Sequence, residues 1–112
     1  MWLDVLSIDG LEPDDVLGFS HGGRDYALYR TADGQFFASD GHCTHQQTLL
    51  CDGLVMDGFI ECPKHNGRFD LRTGRAIRAP AIRDLATYGV KVEGGRVYVN
   101  LSDSSSTDAE SP

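Results

Sequence analysis

Two short segments carry side chains able to bind a transition metal: Cys43-Thr44-His45 and, after 16 intervening residues, Cys62-Pro63-Lys64-His65. Each places an imidazole two or three positions after a thiol. Thiolate sulfur and imidazole nitrogen suit zinc and iron better than the hard cations calcium and magnesium. A structural zinc site draws four such ligands onto one tetrahedral ion, usually from one knuckle of two cysteines and one of two histidines. Here both knuckles are mixed. A mixed pair on each of two loops suits a two-iron cluster in which both cysteines hold one iron and both histidines the other, so that each loop reaches both metals. Cys43, His45, Cys62 and His65 are the candidate ligands in either case.

Ligand loops of this kind need a rigid frame, and the sequence predicts a β one. Short β-like runs separated by glycine-containing turns recur along the chain, and no window of 11 or more residues shows a sustained helical apolar stripe. Strands are predicted at 2–8, 16–21, 24–31, 35–39, 54–56, 59–61, 86–92 and 96–101. The pairs Gly22-Gly23, Asp57-Gly58 and Gly94-Gly95 tolerate the positive φ of two-residue hairpin turns, and Asp33-Gly34 also turns the chain. Glu12-Pro13-Asp14-Asp15 reads as a turn or one short helical turn. Residues 102–112, SDSSSTDAESP, offer one apolar side chain to offset the entropy of ordering them and are expected to form a disordered acidic, serine-rich tail. One domain over residues 1–101 is the expectation.

Composition narrows the partners. The 112 residues carry a formal charge of -7, which repels nucleic acid and anionic lipid at long range. No apolar run approaches the roughly 18 residues needed to span a bilayer. The N-terminal stretch lacks a basic segment and gains acids from Asp4 onward, so the chain reads as mature from residue 1. Three cysteines, two with a nearby histidine, fit thiolate ligands in a reducing cytoplasm better than a disulfide framework.

The two motifs resemble those of the Rieske family, specifically the ferredoxins of bacterial multicomponent oxygenases of the aromatic-ring-hydroxylating type. The similarity covers nearly all of residues 1–101 and is strongest from Gly41 to Pro80, where Phe69-Asp70, Thr73-Gly74 and Pro80 also stand at matching places. The run GLVMDGFIECPKHNGRFDLRTG is similar, more weakly, to a ferredoxin of rhizopine catabolism. The resemblance implies an all-β, Rieske-type antiparallel β-sandwich with a small cluster-binding subdomain. It implies one 2Fe-2S cluster on Cys43, His45, Cys62 and His65, with the histidine edges reaching solvent and the cysteines anchoring the other iron deeper. It further implies a soluble, cytoplasmic, monomeric one-electron carrier. Such a carrier takes electrons from an NAD(P)H-dependent flavin reductase and passes them to a terminal Rieske non-heme iron oxygenase in aromatic hydrocarbon catabolism. The chain itself is not expected to be an enzyme, since only His21 and His42 remain for a mononuclear iron. The alternatives are a cluster-bearing small subunit of a larger, nitrite reductase-like enzyme, and a structural zinc-binding domain.

Departures from the family pattern carry information. Gln46 and Asn66 follow the two histidines where relatives commonly have glycine. Where the respiratory branch has a second cysteine in each loop, this chain has Thr48 and Lys64; where that branch has a serine and a tyrosine donating to the cluster, it has Gly67 and Phe69. Fewer hydrogen bonds to sulfur disfavour the reduced state, so the expected potential lies near the lower end of the roughly -150 to +300 mV Rieske range. Cys51 reads as a small hydrophobe or incidental thiol. His42 reads as an ordinary loop residue or a group beside the cluster, and His21 as a solvent-exposed turn residue. Pro80 reads as covering the cluster. Residues 64–83 hold six bases against Asp70 alone. Most such runs are solvated faces, but Arg68 and Arg72 beside the second loop are candidates for steering an acidic partner.

Overall fold

The computed structural model describes residues 2–44, 48–63, 67–79 and 83–104, with the side chains of 103 and 104 excluded. Ten strands follow in chain order: β1 (Trp2–Ser7), β2 (Asp15–His21), β3 (Arg24–Arg30), β4 (Phe36–Asp40), β5 (Leu54–Met56), β6 (Phe59–Glu61), β7 (Arg68–Asp70), β8 (Ala76–Arg78), β9 (Thr87–Glu93) and β10 (Arg96–Ser104). Two 3-10 turns, Ile8–Gly10 and Leu50–Asp52, are the only helical pieces among the described residues. A six-stranded sheet runs β1-β10-β9-β4-β3-β2 and a four-stranded sheet runs β5-β6-β7-β8, with every pair antiparallel. The predicted all-β antiparallel class is the observed one.

Turn chemistry sets the registers. Both central residues have positive φ at Gly22-Gly23 (61° and 80°), Gly94-Gly95 (58° and 76°) and Asp57-Gly58 (51° and 80°). That pattern is the two-residue turn whose twist matches the flanking strands, and each predicted hairpin forms around it. Pro13-Asp14 makes the predicted turn before β2, with Asp14 at φ 57°.

The buried run Tyr26-Ala27-Leu28-Tyr29 on β3 faces two cores at once, because successive strand side chains point to opposite faces. Ala27 and Tyr29 join Leu50, Ile60 and Phe69 in the core that also takes Cys43 and Cys62. Tyr26 and Leu28 join Ala38, Val97 and Val99 in a core belonging to the large sheet. Burial raises the Tyr29 phenol well above its ordinary pKa, and its hydroxyl shares a 2.7 Å hydrogen bond with Ser39 Oγ. The core holding the cysteines is therefore built from both sheets.

Three differences from expectation stand out. Strands β7 and β8 were not expected, being three residues each with little apolar content. The last strand was expected to end at Leu101 but extends to Ser104, with Ser104 opposite Tyr88 after a register shift that begins at Asn100. The Asn100 side chain accepts from Ser102 N and Oγ there, giving a polar segment local partners that apolar patterning does not register. The remainder of the predicted tail, 105–112, lies outside the described residues. His21, expected to be exposed, is half-buried at the end of β2.

Candidate metal centre

The two cysteines lie on hairpins closed in the same way. In the first, His42 bridges Leu49 and the Cys43 N–H donates to the Thr48 carbonyl at 2.9 Å. In the second, Glu61 pairs with Arg68 and the Cys62 N–H donates to the Gly67 carbonyl at 2.7 Å. In both, the cysteine bonds to the residue five positions on. The residue before it faces the residue six positions after it. Each cysteine thus starts a loop of the same span. Cys43 and Cys62 are buried, at 3% and 2% exposure, and share one core.

Different supports hold the two necks. The second belongs to the small sheet: Arg68 Nε donates to Glu61 Oε1 at 2.8 Å, and the Arg68 guanidinium lies 4.5 Å from the Phe59 ring centre. The first leans on the large sheet. Gly41 N donates to the Asp25 carbonyl and Leu50 N to the Gly41 carbonyl, at 2.9 and 2.8 Å. A Cβ at Gly41 would come within 2.8 Å of the Asp25 carbonyl carbon, so glycine is what allows this approach to β3. Thr44 Oγ1 donates to the Arg83 carbonyl at 2.8 Å, fastening the first loop to the segment that returns to β9. Neither Gly41, Thr44 nor the Glu61–Arg68 pair stood out in the sequence. Their roles depend on register, although glycine directly before a candidate ligand loop was an available signal.

Chemistry and burial together fit a metal. None of Cys43, Cys51 and Cys62 is in a disulfide. A buried thiolate without a cation is costly, whereas a coordinated one is stable. Two buried cysteines opening matched loops therefore suit ligation. His45 and His65 lie outside the described residues, as do Gln46, Lys64, Asn66 and Pro80. Among the described residues no group of three or more His, Cys, Asp or Glu converges as a metal site, since the described part of the predicted set is the two cysteines.

The other singled-out residues sit apart from this pair of loops. Cys51 lies in the Leu50–Asp52 turn, half-buried against Gly18, with its thiol pKa raised by burial and by Asp52. His42 Nε2 stands 3.5 Å from Asp25 Oδ2 on the outside of the first neck. A surface cavity of about 430 Å³ lies away from both cysteines; Asp14, Asp33, Asp57, Asp70 and Arg72 are among its lining residues.

Comparison with known proteins agrees with this architecture. The family model of the Rieske [2Fe-2S] domain matches residues 1–89. The chain is 43% identical over 101 residues to the ferredoxin component of the naphthalene 1,2-dioxygenase system of Pseudomonas aeruginosa, covering 90% of this chain and 96% of that one. It is 45% identical over 100 residues to the ferredoxin component of the 2,4-dinitrotoluene dioxygenase system of Burkholderia sp. (strain RASC), covering 89% and 95%. Its fold matches a chain in the solved complex of reduced oxygenase and oxidized ferredoxin in carbazole 1,9a-dioxygenase, with a TM-score of 0.83 and 34% identity over 88% of this chain and 91% of that one. Matched cysteine loops, a two-sheet antiparallel fold and similarity over 90% of the chain lead to one conclusion: the chain belongs to the Rieske [2Fe-2S] family and carries one Rieske-type 2Fe-2S cluster.

Proposed function

We propose that Cys43, His45, Cys62 and His65 hold the cluster, and that the chain carries single electrons from an NAD(P)H-dependent flavin reductase to a terminal Rieske non-heme iron oxygenase. The observation that carries the ligand reading is the identical closure of the two hairpins around buried Cys43 and Cys62. Spacing supplies the rest, because His45 and His65 follow those cysteines at two and three positions. When bound, the cluster supplies one reversible electron.

The chain's own residues set the conditions of that exchange. Hairpins tied to two sheets hold the cysteines with little room to reorganise, and the shared core keeps water from them. Gly67 and Phe69 bring no hydroxyl toward the sulfurs, which favours a low potential and hence a flavin-linked donor. Oxygenase chemistry is assigned to the acceptor, whose pocket selects the substrate. The relatives' description as ferredoxin components of dioxygenase systems supports the carrier role. Among the described residues no helix is long and apolar enough to cross a membrane. A cytoplasmic monomer that meets its partners transiently accords with this reading.

The test is a redox titration followed by mixing with the reductase and oxygenase encoded in the same genome. The expected result is one electron taken up per chain, and NAD(P)H consumption coupled to oxygenase turnover only when this chain is present. Stable co-purification with a large catalytic chain, with no such coupling, would instead make it a fixed subunit of a larger reductase.

A further inference from the structure

Charge is distributed against the net sign of the molecule. Residues 1–63 hold eleven acids and two bases, whereas residues 64–83 hold six bases and one acid. The fold shows which of those bases remain uncompensated. Arg68 is paired with Glu61 at 2.8 Å, and Arg72 lines the cavity that also holds Asp14, Asp33, Asp57 and Asp70. Arg75 stands at the turn end of β7–β8, where its carbonyl accepts from the Asp70 N–H, away from the cysteine loops. Arg78 and Arg83 are exposed and have no acidic side chain within ion-pair distance among the described residues; Asp84, next to Arg83, accepts from the Ala76 N–H instead.

Register places these two arginines beside the two cysteine loops. Arg78 on β8 lies directly opposite Arg68 on β7, which lies opposite Glu61 on β6, the residue before Cys62. Neighbouring strands are about 4.8 Å apart, so the Arg78 backbone stands one strand from Arg68 and about 10 Å from Glu61, the two sides of the second neck. The Arg83 carbonyl accepts from Thr44, the residue after Cys43. Directly before Arg78, Ile77 bulges out of the β7–β8 pairing and is 52% exposed. Leu49, at the first neck, is 38% exposed. An exposed apolar side chain beside one unpaired cation, with a second cation at the first loop, thus borders the cysteine loops on a molecule of net negative charge.

We propose that Arg78 and Arg83, with Ile77 beside Arg78, form a positive contact rim that receives an acidic surface of an electron-transfer partner. The partner's electrostatic attraction is to this rim, since the rest of the chain repels such a surface. The rim replaces the Arg68 and Arg72 pair that the sequence suggested. The proposal rests on the electron-carrier reading, and its test separates the two.

The first probe is hexacyanoferrate(III), a small anionic oxidant. One electron leaves the reduced protein and converts the probe to hexacyanoferrate(II), with no bond made or broken. For the wild-type chain the rate constant should fall about threefold or more as ionic strength rises from about 10 to about 300 mM, the response of a positive contact site. The double variant Arg78→Gln/Arg83→Gln should lose that fall or invert it, while Lys91→Glu on β9, which changes the net charge equally, should retain it. A wild-type rate that rises with salt, or a double variant indistinguishable from wild type, would overturn the rim. Failure to take up any reducible cluster would instead overturn the carrier reading, and the partner assignment with it. The second probe, redox-inert hexacyanochromate(III), reads the rim without electron transfer. Its paramagnetic broadening of amide signals should begin at residues 77–79 and 83–85 and be absent from those positions in the double variant. Broadening centred elsewhere would remove the rim even in a working carrier.

Discussion

The two cysteine hairpins have the same backbone closure and opposite kinds of support. The second is an integral turn of the small sheet, its neck held by the β6–β7 register and by a part-buried Glu61–Arg68 pair stacked on Phe59. The first has a single isolated bridge at its neck and depends on backbone contact with the large sheet through Gly41. One loop is braced by side chains and the other by proximity. The geometry that a shared ligand centre needs can therefore be reached from two unrelated local sequences, and the loops should fail in different ways when perturbed.

The largest effect is expected where the loops converge. Cys43→Ser or Cys62→Ser should each abolish cluster binding, seen as loss of bound iron and visible absorption, despite the difference in bracing. Retention of a full cluster in either variant would remove that cysteine from the ligand set. Gly41→Ala should be next, because a Cβ there meets the Asp25–Tyr26 backbone at 2.8–2.9 Å with nothing flexible to yield. A destabilisation of about 1–3 kcal/mol is expected, measured from urea unfolding midpoints. An unchanged midpoint would show that the first loop does not rely on this approach.

Smaller effects are expected at the second neck. Glu61→Gln keeps the shape and removes the charge opposing Arg68, at a cost of about 1 kcal/mol for a partly exposed pair. Its unfolding midpoint should fall by less than that of Gly41→Ala, and the reverse order would invert the comparison. Gly67→Ser introduces a hydroxyl into the same loop without touching the first. A hydrogen bond of about 1 kcal/mol to the reduced state corresponds to a rise on the order of 50 mV, read by voltammetry against a wild type near the low end of the Rieske range. A wild-type midpoint well above zero would contradict the account of why Gly67 and Phe69 matter.

What the sequence made legible follows from which signals are local. Gly22-Gly23, Asp57-Gly58 and Gly94-Gly95 announce hairpins because the positive φ they permit is a property of two adjacent residues. The cysteine and histidine spacings are equally local, and so were visible at once. Strands β7 and β8 were not visible. Arg68-Phe69-Asp70 has one inward side chain, and the Ile77 bulge breaks alternation in β8, so neither shows the four-residue pattern that marks a strand. The fate of the basic run was equally hidden. Whether Arg68 is a free charge depends on Glu61, seven residues earlier and directly across the hairpin, and whether Arg72 is free depends on acids brought from three other turns. Charge counting finds the excess; only register shows that Arg78 and Arg83 carry it beside the cysteine loops.

The most direct test of the central claim is the iron, zinc and acid-labile sulfide content per chain of protein purified without oxygen, with electron paramagnetic resonance after reduction. Two irons, two sulfides and a Rieske spectrum are predicted, with the nitrogen couplings of two histidines lost stepwise in His45→Ala and His65→Ala. One zinc and no sulfide in protein made under iron-replete conditions would contradict the account, and the matched hairpins would then be a structural zinc site.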